Sequence, residues 1–174
     1  MSIIPQIIND VKIYKGGTAD LKGAADIQLP SFDPMTETMN GAGQSGEIET
    51  GIIGHYQSMK LTINWRMITD EITDFLKPET LSLDCRVANQ EFDATARSNK
   101  FKINRVVVRG RATKNDFGKA AKGSAYDGST EIEIDYIKVE RDGRVLVELD
   151  KYNYIYKVDG VDYMEELREG LGMN

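Results

Sequence analysis

The chain has 174 residues, with 28 acidic against 22 basic side chains and a net charge of -6. That length suits one domain around one core, and the acidic balance argues against a protein that grips nucleic acid, which needs a basic face. A single cysteine and a single histidine exclude a disulfide framework and leave a transition-metal site or a Cys-His dyad almost without ligands.

The first residues, M-S-I-I-P-Q-I-I-N-D, carry no basic stretch and no small-residue cleavage site, so no signal peptide is expected. No apolar run approaches the length that spans a bilayer, so no membrane anchor is expected either, and synthesis in the cytoplasm is. Ile7 to Tyr14 predicts a strand ended by Lys15-Gly16-Gly17, and Leu21 to Leu29 a second one closed by Pro30. Residues 31–56 show no period and contain Gly41, Gly43, Gly46, Gly51 and Gly54, with Met35 and Met39 among polar neighbours. So long a loop is uncommon in a compact domain unless it has a function, and the reading here is a contact loop ordered by a partner.

From Ser58 to Met67 the period is two. Met59, Leu61, Ile63, Trp65 and Met67 share one face, as in a sheet buried on one side. Ile68, Ile72, Phe75 and Leu76 then fall at helical spacing, with Thr69 or Asp70 to start a short flanking helix and Pro78 to stop it. Strands resume at Leu81 to Val87, where Cys85 reads as a buried spacer, and at Lys100 to Ala112, whose phase change between Ile103 and Val106 suggests a bulge. Lys100, Lys102, Arg105, Arg109 and Arg111 spread along that strand as a solvated or interface face. Thr113 to Thr130 is a second aperiodic, glycine-containing segment, also read as a contact loop.

The run from Glu131 onward predicts a hairpin around Asp142-Gly143. A three-residue loop, Arg141-Asp142-Gly143, pairs Val139 with Val145 and Ile137 with Val147, matching apolar residues on one face. Tyr152, Tyr154, Tyr156 and Val158 alternate after a kink near Asp150-Lys151. Asp159-Gly160-Val161-Asp162 is a tight turn, and Met164, Leu167 and Leu171 line one side of a terminal helix.

No catalytic constellation emerges. Asp70, Glu71 and Asp74 open a helix, where negative charge suits the macrodipole. G-A-G-Q-S-G (41–46) lacks the Lys-Ser/Thr that a phosphate loop requires. Glu131, Glu133 and Asp135 line one face of a strand, where a row of carboxylates reads as a solvated acidic face. No cofactor, metal or catalytic residue is expected.

R-D-G-R-V-L-V-E-L-D (141–150), K-V-D-G-V-D (157–162) and the spaced Glu166, Arg168 and Gly172 resemble the C-terminal part of the major tail tube protein of contractile phage tails. R-V-V-V-R-G-R (105–111), L-T-I-N-W-R-M-I (61–68), K-G-G (15–17) and D-I-Q-L-P (26–30) extend the likeness over most of the chain. The resemblance implies a mainly β protein, a β-sandwich or rolled β-barrel with one short flanking α-helix and a short C-terminal helix. Strands of neighbouring subunits would join into a large ring barrel, and hexameric rings would stack into a tube. The loop at about 31–57 would reach the adjacent ring, with Phe32, Met35, Met39, Gly41, Gly46, Ile48 and His55 as contact residues. Glu131, Glu133 and Asp135 would face the lumen. The implied partners are the protein itself, the tail sheath, baseplate and tail terminator proteins, and DNA passing through. The inner tubes of R-type bacteriocins are similar.

Two other readings are possible from the sequence. A small-ligand-binding β-barrel would need an apolar interior in a monomer. An enzyme using scattered carboxylates would need one residue to stand out, and none does.

Overall fold

The computed structural model describes residues 3–173 except 18, 21–23 and 44, and at 19, 20 and 25 the backbone alone. The chain runs through strands Ile3–Lys15 (β1), Ala19–Asp20 (β2), Ala24–Gln28 (β3), Pro34–Met39 (β4), Ile48–Tyr56 (β5) and Lys60–Trp65 (β6). A 3₁₀ helix at Asp70–Leu76 follows, then Leu81–Asp93 (β7), Ser98–Asp116 (β8), Gly128–Arg141 (β9), Arg144–Asp150 (β10), Ile155–Val158 (β11), Val161–Asp162 (β12) and the helix Glu165–Gly170 (α1). The fold is mainly β, as expected. Of the strand expected at 21–29, residues 21–23 lie outside those described and the remainder forms β3.

One antiparallel sheet has the order β12-β11-β10-β9-β8-β7-β1-β2, with β6 and then β3 branching from β9. The fork follows from the length of β9. Its first half pairs with β6, Trp65 opposite Gly128 and Lys60 opposite Glu133, and its second half pairs with β10. Along its other side the register with β8 slips between Arg109–Tyr136 and Gly110–Ile134, which leaves Asp135 as the extra residue of a bulge. The bulge turns the strand, so Ile132 and Ile134 before it and Ile137 after it all reach the core. The inner face of this rolled sheet wraps one core that includes Ile13, Leu61, Ile63, Trp65, Leu83, Cys85, Val108 and Leu149. The sheet does not close on itself, so no barrel interior of the kind a small ligand would occupy is formed.

Met59, Leu61, Ile63 and Trp65 are buried as the alternation predicts; Met67 is 59% exposed, because β6 ends at Trp65. The flanking helix is 3₁₀, not α. Residues three apart eclipse in a 3₁₀ helix, so Ile72 and Phe75 face the core, while Ile68 and Leu76, each four residues from Ile72, are exposed. No register slip separates Ile103 from Val106. The apolar residues there occupy opposite faces of an uninterrupted strand: Val106 and Val108 point in, whereas Phe101 and Ile103 point out. Part of the aperiodic 113–130 segment is strand, β8 running to Asp116 and β9 starting at Gly128.

The β9–β10 loop has two residues, Asp142 (φ 48) and Gly143 (φ 80), with Arg141 opposite Arg144. Left-handed geometry at both positions is the primed turn that matches strand twist. A bulge at Leu146 then restores Val147 opposite Val139 and Leu149 opposite Ile137, so the apolar pairs meet without a three-residue loop. The tyrosine row is also interrupted. Asp150 accepts the amides of Tyr152 (3.0 Å) and Asn153 (2.9 Å), and β11 starts only at Ile155. In the terminal segment Met164 is buried, and Leu167 and Leu171 are exposed.

Candidate assembly surfaces

β1 is a long edge strand. From Ile3 to Ile13 it pairs with β7 on one side, and among the described residues its other side meets a strand only at Tyr14 and Lys15, opposite β2. Register slips at Gln6 and Asn9 bend it without covering it. Ile3, Ile4, Ile7 and Ile8 are all exposed, Ile7 by 66%. An apolar edge of this length is a template for another chain.

Residues 31–56 fold largely as a hairpin, β4 with β5, that forms its own two-stranded sheet. Much of it is exposed on both faces, which is why no inside–outside period marks it in the sequence. Met35, Met39 and Ile48 are exposed along it, and Gly41 and Gly46 stand in the connection between its strands; Gln44 lies outside the described residues. Phe32 and His55 sit at its root. Phe32 packs edge-on against Tyr56 (5.5 Å between centroids), Tyr56 against Tyr156 (5.4 Å), and His55 near Tyr154 (6.2 Å). Burial and the neighbouring Tyr156 raise the Tyr56 phenol well above its ordinary pKa. Gly54 (φ +72) lies against Met164, and a Cβ there would run into the thioether. The structure therefore separates the seven sequence-predicted loop residues into an anchored root and an exposed blade.

Glu131 and Glu133 point away from the core on β9, and each has cationic neighbours. Lys60 Nζ is 3.0 Å and Lys114 Nζ 3.7 Å from Glu131, and Lys151 Nζ is 3.8 Å from Glu133. The Lys60 hydrogen bond holds the Glu131 carboxyl below its ordinary value. Asp135, in the bulge, goes the other way: burial and then the charge of Asp150 push its carboxyl up. Among the described residues no acidic, His or Cys cluster has the make-up of a metal site. Farther along the same outward face lies a network the sequence reading missed. Arg105 chelates Asp84 (Nε 3.0 Å, Nη2 2.9 Å), Arg86 joins at 3.0 Å, and Arg105 also reaches Glu140 at 3.3 Å. Burial raises the Asp84 carboxyl, but the two guanidiniums outweigh it and leave it below its usual value. Alternating charges at 84, 86, 105 and 140 were visible; their adjacency needed the β7-β8-β9 register.

Residues 5–172 match the family described as phage tail tube protein FII. The chain belongs to this family. It is similar to the tail tube protein of Escherichia phage P2, 24% identical over 98% of this chain and 99% of the relative. It is equally similar to the major tail tube protein of Serratia phage KSP20, 24% identical over 98% of each chain. The chain is thus a structural protein of a phage tail tube, and tail tube proteins are components of virion tails. In a family defined by a tube, an uncovered apolar edge and an exposed hairpin blade are surfaces for assembly, and the cavities between them do not need to hold a ligand.

Proposed function

We propose that this chain is the repeating subunit of hexameric rings that stack into the inner tube of a contractile phage tail or a related particle such as an R-type bacteriocin. The observation that carries this reading is the uncovered β1 margin. Ring closure would pair it with a neighbouring subunit, satisfying its backbone groups and removing the edge. An obligate contact of this kind buries on the order of 2,000 Å² or more. The β4–β5 hairpin would reach the adjacent ring. The outward face of β9, with Glu131, Glu133 and Asp135, would line a channel through which DNA (or ions, in a headless particle) passes. Lysines beside Glu131 and Glu133 leave few free cations there to hold a phosphate backbone. Sheath, baseplate and tail terminator proteins would be its partners in the tail. Negative-stain microscopy and sedimentation of the purified protein over a wide concentration range test the proposal. Rings or tubes of uniform width are expected, and a monomer at every concentration would refute it.

A further inference from the structure

The polarity of the sheet reverses where Ile3–Asp10 of β1, Ala88–Asp93 of β7 and residues 98–104 of β8 run past the core as a three-stranded arm. The inner face of the arm is polar: Glu91 is buried with Arg141 Nη2 2.5 Å from its carboxylate, and the Asn104 side-chain oxygen is buried without a partner. The outer face is apolar. Ile4 lies opposite Phe92, Ile7 opposite Gln90 and Ile103 opposite Ala88, with Phe101 beside Gln90. Phe101 is 59% exposed and Ile4, Ile7 and Ile103 are also exposed. A sheet that is polar toward its own chain and apolar toward water requires a cover.

The second exposed apolar surface is one face of the β4–β5 hairpin, where strand alternation sets Met35 and Met39 with Ile48 and Ile52. Its root packs on Tyr156 and Met164, at the β11 end of the sheet order, whereas the arm is at the β1 end. The hairpin is thus placed to cover the arm of another copy, not its own. The charges agree with this. Residues 31–57 carry Asp33, Glu37, Glu47 and Glu49 with no Lys or Arg, and residues 94–111 carry Arg97, Lys100, Lys102, Arg105, Arg109 and Arg111 with no carboxylate. We infer that the apolar outer face of the arm receives the β4–β5 hairpin of a second copy of this chain. This rests on the tube reading and specifies which two surfaces of the subunit meet. Joining two different surfaces makes a head-to-tail contact that propagates without self-termination.

Single-cysteine variants test it. Phe101→Cys and Ile48→Cys proteins, carrying tags of different size, are mixed, assembled and oxidised; Cys85 is fully buried and gives little background. The expected product is a mixed-size heterodimer at least tenfold more abundant than either homodimer. In parallel, Phe101→Glu should raise the concentration needed for assembly at least tenfold, because it sets a carboxylate against an acidic hairpin, and Phe101→Leu should leave it unchanged. Particles that form with no heterodimer, or with homodimers as abundant, overturn this inference and leave the tube reading intact. A wild-type protein that never assembles removes both.

Discussion

Trp65 donates its indole N–H to Thr130 Oγ1 at 2.9 Å, and Thr130 donates in turn to Asn115 Oδ1 at 3.0 Å. Asn115 Nδ2 then reaches the Phe75 carbonyl at 3.1 Å, so one buried chain ties β6, β9, β8 and the 3₁₀ helix together. Thr130→Val keeps the shape and removes the acceptor, which strands the indole N–H in the core. A loss of about 2 kcal/mol is expected, read as a lower denaturant midpoint for the unassembled subunit, and Thr130→Ser should retain most of the stability. A neutral Thr130→Val would mean that the indole finds another acceptor.

Gly110 stands opposite the β9 bulge, where any Cβ would run into the Glu133 carbonyl. Backbone does not yield as a flexible side chain does, so Gly110→Ala should cost about 3 kcal/mol and impair both folding and assembly. Thermal unfolding of the variant measures this; a change of under a degree would show that the bend relaxes freely.

Gly54 combines φ +72 with close approach to Met164. Gly54→Ala should loosen the hairpin from the C-terminal segment at a cost of about 1–2 kcal/mol. Faster hydrogen exchange is expected at the Gln57 amide, which bonds the Asp33 carbonyl at 2.9 Å. The core amides of β7 and β8 should keep their protection.

Asp84, Asp93, Glu140 and Asp162 all have carboxyls held below their ordinary values. At Asp84 the arginines overcome the opposing effect of burial, and hydrogen bonds from Lys100, Lys138 and Arg168 dominate at the other three. A group with a depressed folded pKa binds fewer protons when native. Its stabilisation is complete above the unfolded value and disappears as pH falls through the folded one. Stability should therefore be nearly flat from pH 7 to about 5.5 and fall below about pH 4, followed by the urea midpoint at each pH. A decline that begins near pH 6 would contradict this assignment.

Asp135 has the opposite sign. Its raised carboxyl costs stability once ionised, and that cost grows as pH rises through the folded value. Asp135→Asn should therefore raise Tm at pH 7, by on the order of 2 °C, with the gain vanishing at pH 3. An equal effect at both values would mean that packing in the bulge, not charge, decides the outcome.

The amino-acid order by itself determined the class of fold and the membership of the tail tube family. It also marked the strand that carries Met59 to Trp65, because burial on one face of a sheet writes itself as a period of two. Residues that repeat no such pattern hid their structure. The β4–β5 hairpin is strand exposed on both faces, so it looked like loop, and Phe101 with Ile103 looked like a phase slip where the chain carries apolar residues on two faces. The two-residue turn at Asp142-Gly143 appeared to mismatch its strands until the Leu146 bulge corrected the register, and bulges leave no composition signal. Only the tertiary structure decided where polarity reverses along β1, β7 and β8, and which charges meet on their outer face. Those relationships depend on register between strands distant in sequence, and a one-residue slip would move every side chain to the opposite face.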